Sequence, residues 1–505
     1  MKQLQPLIYA ILLIIGIYIG TIGPRTQHIV DNKLNNILQI INNNYVDSIN
    51  KKTFENSTIN SILSDLDPHS SYISTENFKP VEENMKGSFS GIGVEFNIIE
   101  DSIVVVAPIS GGPSEKLGIR SGDRIISVEQ EDVASIGIKN EEVIQRLRGE
   151  KGSTVNIVVK RRGEDKLIPF AIVRDDIPLY SIDAGIMLTE DIAYIKINRF
   201  SATTYEEMMD KVNILTKKGM EKLILDFREN PGGYLHIANQ ICDEFLKAGE
   251  LIVFTQGRNR AKQEVFATHN GSLENIPVIV LINEGSASAS EIVSGALQDN
   301  DRGLLIGRRS FGKGLVQEQI NLNDGSVIRL STQRYYTPSG RCIQKKYGKN
   351  IKDYYLEQYT RKDIKTNYPD SLIYNTKKGR IVYGGGGITP DIIIKIDTNT
   401  NYSQINKMMN KGWINKFCFE TSEYLKIQGI KNYKQININN IYPDFLLYLS
   451  KEDDKFELKL GDKELRYLKN LIIATISRNL WDNDVYYKVL SKEDEYIRTA
   501  LKEMN

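Results

Sequence analysis

Three serines crowd one turn. The segment PVIVLINEGSASASEIVSGALQ passes from an apolar strand-like run through small residues into a helix whose Ile292, Val293, Ala296 and Leu297 share a face. Ser286, Ser288 and Ser290 sit where that helix begins. Free backbone N–H groups at a helix start hold anions. A hydroxyl placed there is a nucleophile with oxyanion donors alongside. Serine and alanine also cap and pack helix starts, and this segment alone does not separate the two readings.

A serine nucleophile needs a base. The four histidines, at 28, 69, 236 and 269, are scattered. A lysine serves instead if it is neutral. Moving its pKa from about 10.4 to about 7 takes roughly 4–5 kcal/mol of desolvation and local field. In RRSFGKGLVQEQINL, Lys313 lies between Gly312 and Gly314 and beside Phe311, Leu315 and Val316, whereas most other lysines have charged or Asn-rich neighbours. Gln317 is four residues on and shares a face with Lys313 in either a strand or a helix, so it can orient the amine. The two glycines disfavour helix. The competing reading is a Gly-rich surface hairpin with a solvated lysine.

These residues need a scaffold, and the chain is long enough for one. Its 505 residues predict three or four domains, with 41% apolar residues and 38 Gly, an ordinary globular composition. Lys+Arg total 65 and Asp+Glu 64. A net charge of +1 steers the protein to neither nucleic acid nor anionic lipid. Cys242, Cys342 and Cys418 are too few and too scattered for a disulfide framework or a zinc site.

From 174 to about 391 strand-like runs (IAYIKINRF, KLILDFREN, PVIVLINEG) alternate with helix-like ones, which predicts an α/β core. Before it, residues 87–173 hold short β-rich runs, SFSGIGVEF first, with Gly-rich turns and one helix over 140–148, predicting a compact β-barrel-like module. Residues 29–86 read as a small helical module, for packing or for dimerisation. Beyond 396 the chain is Asn-, Tyr- and Lys-rich with helical periodicity over 464–481. Between Arg341 and Arg380, eleven basic residues face four acidic ones. That excess reads as a solvated face, with a lipid or acidic partner as the alternative.

Residues 3–24 carry no charge, long enough to cross a membrane as a helix. The run ends without a good small-residue cleavage site. It predicts a single-pass signal anchor with the remaining domains outside the cytoplasm, a cleaved signal peptide being the alternative.

The motif order SGIGVEF, PSEKLGIRSGD, DFRENPGG, GSASASEI, FGKGLVQ, YYTPSGR, GITPD resembles the carboxy-terminal processing peptidases, or tail-specific proteases, over residues 30–395. These are serine–lysine peptidases carrying a PDZ domain. The resemblance implies a crotonase/Clp-like α/β peptidase core (174–395) with an inserted PDZ domain (87–173), and thus a multidomain α+β chain. It adds an N-terminal segment (1–28), a helical module (29–86) and a mainly helical extension (396–505). It implies Ser288 as nucleophile, Lys313 as general base and Gln317 completing the triad. It implies an oxyanion hole from Ala289 N–H and one of Gly232 and Gly233. A PDZ turn at Ser90, Gly91, Ile92, Gly93 and Val94 would receive a peptide's terminal carboxylate, with Ile92 and Val94 lining the last side chain's pocket. Arg148 would couple tail occupancy to assembly of the site.

The implied activity is endoproteolysis near the C-termini of exported proteins, in a bacterial periplasm, with no metal, organic cofactor or nucleic acid. Its partners are polypeptides with free C-termini, and the membrane through the N-terminal segment; a homodimer and an adaptor are open. Two departures stand out. Glu229 occupies a position where asparagine is common. His236 lies close to the PGG turn and offers a rival base, or a rim residue. The competing class is a catalytically silent PDZ scaffold at the membrane.

Overall fold

The structure, a computed structural model, describes residues 33–109, 111–268, 271–348, 350–361, 369–397 and 400–505. The chain divides into two compact units, Met1–Leu63 and Ser64–Asn505. The helices Lys33–Asn44 and Lys51–Ser64 make up the described part of the first. Lys33–Asn44 buries none of its residues, and Leu34 and Ile37 are exposed. The division falls inside the module expected over 29–86. The helix Thr75–Lys86 and a short strand, Ser71–Ile73, belong to the second unit, where that strand pairs with Val327–Tyr336. The uncharged run at 3–24 lies outside the described residues. Among the described residues no helix is long and apolar enough to cross a membrane.

The second unit is built on a six-stranded sheet. Its order is Ile182–Met187, Ile192–Ile197, Lys222–Asp226, Val278–Ile282, Gly303–Gly307 and Ile392–Ile393. The first pair is antiparallel and the others are parallel. Its inner strands read as unbroken apolar runs because both faces are covered. Ala193, Ile195, Leu223 and Leu225 pack against Met208, Ile241, Ile292 and Val293 of the helices Thr204–Lys217, Leu235–Phe245 and Ala289–Asp299. The alternate residues, Tyr194, Ile224 and Ile279, face the other way onto Tyr496, Ile497 and Ala500 of the helix Glu495–Met504. The C-terminal extension therefore supplies the sheet's second cover.

A second sheet carries Leu315–Asn321 against Val327–Tyr336. The stretch whose conformation the sequence left open is a strand from Leu315, preceded by an irregular loop. The PDZ region is an antiparallel sheet of Val94–Ile99, Ser102–Pro108, Arg124–Val128, Thr154–Lys160 and Ile168–Val173 with the helix Asn140–Leu147. The β-rich run SFSGIGVEF is divided between two strands. Ser88–Gly91 pairs with Asp175–Pro178, and a turn at Ile92 and Gly93 separates it from Val94–Ile99. Gly93 has φ +73°, which ends the first strand and redirects the chain. In the extension, Ile405, Phe417, Phe445 and Leu468, one from each of four helices, meet in a core of their own.

The basic stretch after Arg341 is not uniformly solvated. Arg341 is fully buried, bonding Asp299 Oδ1 at 2.7 Å and Gln298 Oε1 at 2.8 Å. Lys345 is buried, donates to Tyr354 O at 2.8 Å and lies 4.0 Å from the Phe311 ring centre. Their partners are distant in sequence, so a count of neighbouring charges misreads them as surface.

Candidate active site

The candidate site lies beyond the C-terminal ends of the parallel strands, where α/β sheets bind ligands. Val278–Ile282 leads into the serine turn and Lys222–Asp226 leads into the RENPGG loop. The three serines differ in what their hydroxyls do. Ser286 is buried, donates to Phe227 O at 2.8 Å and accepts from Asn283 N–H at 2.9 Å. Ser290 is buried and donates to Asn230 O at 3.0 Å. Ser288 alone is half-exposed, and its backbone is held at φ +55°, ψ −112°. A non-glycine residue in that region is strained by about 1–3 kcal/mol and persists only where its surroundings impose it.

Asn230 imposes part of it. Buried in the RENPGG loop, it donates from Nδ2 to Ile197 O at 2.9 Å and accepts Gly232 N–H on Oδ1 at 2.9 Å. Its carbonyl receives Ala287 N–H at 2.9 Å and the Ser290 hydroxyl. Glycine is required beside it. A Cβ on Gly232, at φ +96°, would lie 2.8 Å from both Ser288 Cβ and Ala289 N. One on Gly233 would lie 2.0 Å from Phe200 O. Gly232 N–H is committed to Asn230, whereas the N–H groups of Gly233 and Ala289 donate to no group among the described residues. Glu229 takes φ +58°, a region that tolerates asparagine far better than glutamate, and its carboxylate accepts from Asn283 Nδ2. Beneath the loop, buried Asp226 pairs with Lys196 at 3.3 Å and with Arg228, which reaches Asp494 of the extension at 2.8 Å. Those cations hold the Asp226 carboxyl well below the usual range despite its burial.

Lys313 donates from Nζ to Gln317 Oε1 at 2.8 Å, and Gln317 Nε2 donates to His69 O at 2.6 Å. The backbone carbonyl thus fixes which way the amide faces. Burial, and then the Arg329 guanidinium, hold the Lys313 amine below the usual lysine range, against Glu291 and Asp67. His69 bonds Tyr354 Oη at 2.8 Å, and burial followed by the Lys313 charge pushes its pKa down to about 4. No hydrogen bond joins Ser288 Oγ to Lys313 Nζ. His236 is exposed, its ring tilted at 38° against Tyr234 with 5.1 Å between ring centres.

What joins nucleophile and lysine is a residue that sequence reasoning passed over. The fully buried Glu291 carboxylate accepts Ser288 N–H at 2.8 Å and Lys313 N–H at 2.9 Å on one oxygen. The other takes Gly312 N–H at 2.7 Å and the Ser310 hydroxyl at 2.5 Å. Burial pushes its pKa up, but all four partners donate, which suits an ionised acceptor. The signal available was its place at the third helical position, three after Ser288, which by itself is a capping residue.

In the PDZ region, Gly91 and Gly93 are buried and Ile92 is 2% exposed within the module's core. Ser90 Oγ is buried without a partner, and Val94 begins the edge strand. The N–H groups of Ile92 and Gly93 donate to no described group. Arg148 caps the neighbouring helix, stacks 4.1 Å from the Phe89 ring centre and bonds Glu83 at 2.8 Å. Among the described residues, no group of three or more His, Cys, Asp and Glu is placed to hold a metal.

Residues 191–353 match the family model "Peptidase family S41" and residues 90–171 match "PDZ domain". The carboxy-terminal-processing protease of Bartonella bacilliformis is 40% identical over 299 residues, covering 58% of this chain and 68% of the relative. The carboxy-terminal processing protease CtpA of Bacillus subtilis is 34% identical over 479 residues, covering 94% of this chain and 90% of the relative. Of the related CtpB from the same organism the chain covers 65%, at 34% identity over 62% of its own length. Among solved structures, a photosystem II D1 C-terminal processing protease aligns over 72% of this chain and 88% of its own, with 24% identity and a TM-score of 0.36. The chain belongs to the carboxy-terminal processing proteases, serine-type peptidases of family S41 that carry a PDZ domain.

Proposed function

We propose that the protein is an endopeptidase that takes the free C-terminal tail of a polypeptide in its PDZ turn and cleaves near it through a Ser288 acyl-enzyme. The observation that carries this reading is the contrast among the three serines. Two hydroxyls donate to backbone carbonyls, and the third, on a strained turn, donates to no group among the described residues and lies beside two N–H groups that likewise have no described acceptor. Those groups, on Ala289 and Gly233, are the oxyanion donors of the proposal, and Gly232 is the close-approach residue.

Lys313, kept short of its proton by burial, takes the proton of Ser288 as Oγ attacks the peptide carbonyl. It exchanges Gln317 for the hydroxyl by a side-chain rotation about its tetramethylene stem, and Gln317 returns it to place. Lys313 gives that proton to the leaving amine as the C–N bond breaks and, neutral again, takes a proton from the water that frees the acyl group and returns it to Ser288 Oγ. The N–H groups of Ile92 and Gly93 receive the tail's carboxylate, and Arg148, bonded to both the PDZ helix end and Glu83, relays occupancy. The uncharged N-terminal run supports a place outside the cytoplasm, as a signal anchor or a cleaved signal.

A peptide with a free apolar C-terminus, incubated with the wild type and with Ser288→Ala, tests the reading. We expect the variant to lose at least about 10³-fold in rate. Equal disappearance of substrate in both ends the enzyme reading. Because a lysine with a lowered pKa is active when neutral, the wild-type rate should fall as pH falls below that pKa.

A further inference from the structure

The strand Val94–Ile99 is an edge strand, paired on one side only, with Ser102–Pro108. The helix Asn140–Leu147 shares a core with it, Val143 and Leu147 clustering with Ile92, Val94, Phe96 and Ile98. The end of that helix lies at the carboxylate turn, since Arg148 Cγ is 3.7 Å from a Cβ built on Gly91. Its start lies at the other end of the groove. There Lys139 and Glu141 join Ile98 and Ile99 in lining a cavity of about 520 Å³, and the opposite wall is not PDZ at all. It is the extension, through Lys411, Gly412, Asn415 and Lys416. Phe419, one turn further along the same helix, is buried against Ile99 and Val104, which fixes the wall to the sheet.

A tail whose carboxylate sits at the turn before Val94 must run antiparallel to Val94–Ile99. At about 3.4 Å per residue, the position opposite Ile98 and Ile99 is occupied by a residue roughly four to six upstream of the terminus. Lys139 and Lys411 are exposed and pair with no acid among the described residues, and Lys416 shares its charge with Glu452 at 2.9 Å. Glu141 is the one acidic residue of this lining.

We propose that the C-terminal extension forms the far wall of the tail groove and that Lys139, Lys411 and Lys416 favour substrates with acidic side chains four to six residues upstream of the free carboxylate. This rests on the tail-binding reading above and adds a second point of selection to it. An apolar last residue enters at the turn, and an acidic stretch is read by the extension.

The test uses the full chain carrying Ser288→Ala, so that peptides bind without being cut. Fluorescence anisotropy is measured for ten-residue peptides with an apolar last residue, with Glu or Gln at the fourth to sixth upstream positions, each as free acid and as amide. The Glu free acid should bind about five- to twentyfold tighter than the Gln free acid, a difference that shrinks with added salt. Lys411→Glu should erase it while leaving the Gln peptide's affinity unchanged. Lys411 is exposed at a helix end, so this variant leaves the buried side of the extension intact. Equal binding of Glu and Gln free acids, by a protein that still prefers acids to amides, overturns the proposal alone. Amides that bind as well as acids overturn the tail-binding reading and this one with it.

Discussion

Two glycine-bearing turns in this molecule carry backbone N–H groups with no acceptor among the described residues, and they are held differently. Around Ser288, Asn230 and Glu291 spend their hydrogen bonds on the turn and on its neighbour, and an ion-pair chain from buried Asp226 through Arg228 to Asp494 lies underneath. At the PDZ turn a buried serine hydroxyl has no partner, and Arg148 beside it is partly in solvent. The difference suits the roles proposed for the two turns. A group that stabilises charge for an instant gains from being set beforehand. A turn that must accept many different tails gains from leaving its donors unspent until a ligand arrives.

Substitutions test that contrast. Glu291→Gln replaces an all-acceptor carboxylate by an amide whose NH₂ faces donors. We expect kcat/KM to fall by about 10²-fold or more, and urea unfolding to show a loss of about 1–3 kcal/mol. A rate near wild type would show that the serine turn and lysine loop hold without their shared oxygen. Arg329→Met acts more gently. It removes a positive charge that depresses the Lys313 pKa, so the amine keeps its proton to higher pH. The acid limb of the kcat/KM profile should therefore move up in pH, with a severalfold loss at neutrality. A limb that moves down or stays put contradicts the lysine's role.

The smallest effect belongs to the loose turn. Gly93→Ala strains a φ of +73° and meets only the flexible end of Ile177, 2.9 Å away. It should raise KM about three- to tenfold and leave kcat unchanged. A fall in kcat instead would mean that the two turns are coupled more tightly than their hydrogen bonds indicate.

The site was legible where chemistry demands a residue type at a spacing. A serine at a helix start, and a lysine between glycines with a glutamine four positions on, can be read without coordinates. The alternation of strands and helices gave the core for the same reason. Glu291 was not legible, because a glutamate in a first helical turn is ordinarily a solvated cap, and its burial comes from a loop about twenty residues away. Arg341 and Lys345 were misread because the carboxylate and aromatic rings that take them out of water come from other elements. Which glycine of the PGG turn keeps its N–H free depends on Asn230 turning its side chain inward. The three-residue strand Ser71–Ile73 is too short to show a period, and it exists only because Val327–Tyr336 offers it an edge.

The helix Glu495–Met504 has a consequence for an enzyme that works on chain ends. It covers one face of the sheet that positions Ser288, and Asp494 just before it braces Arg228 in the RENPGG loop. A nick that released this stretch would bare Tyr194, Ile224 and Ile279 to water and unbrace the loop at once.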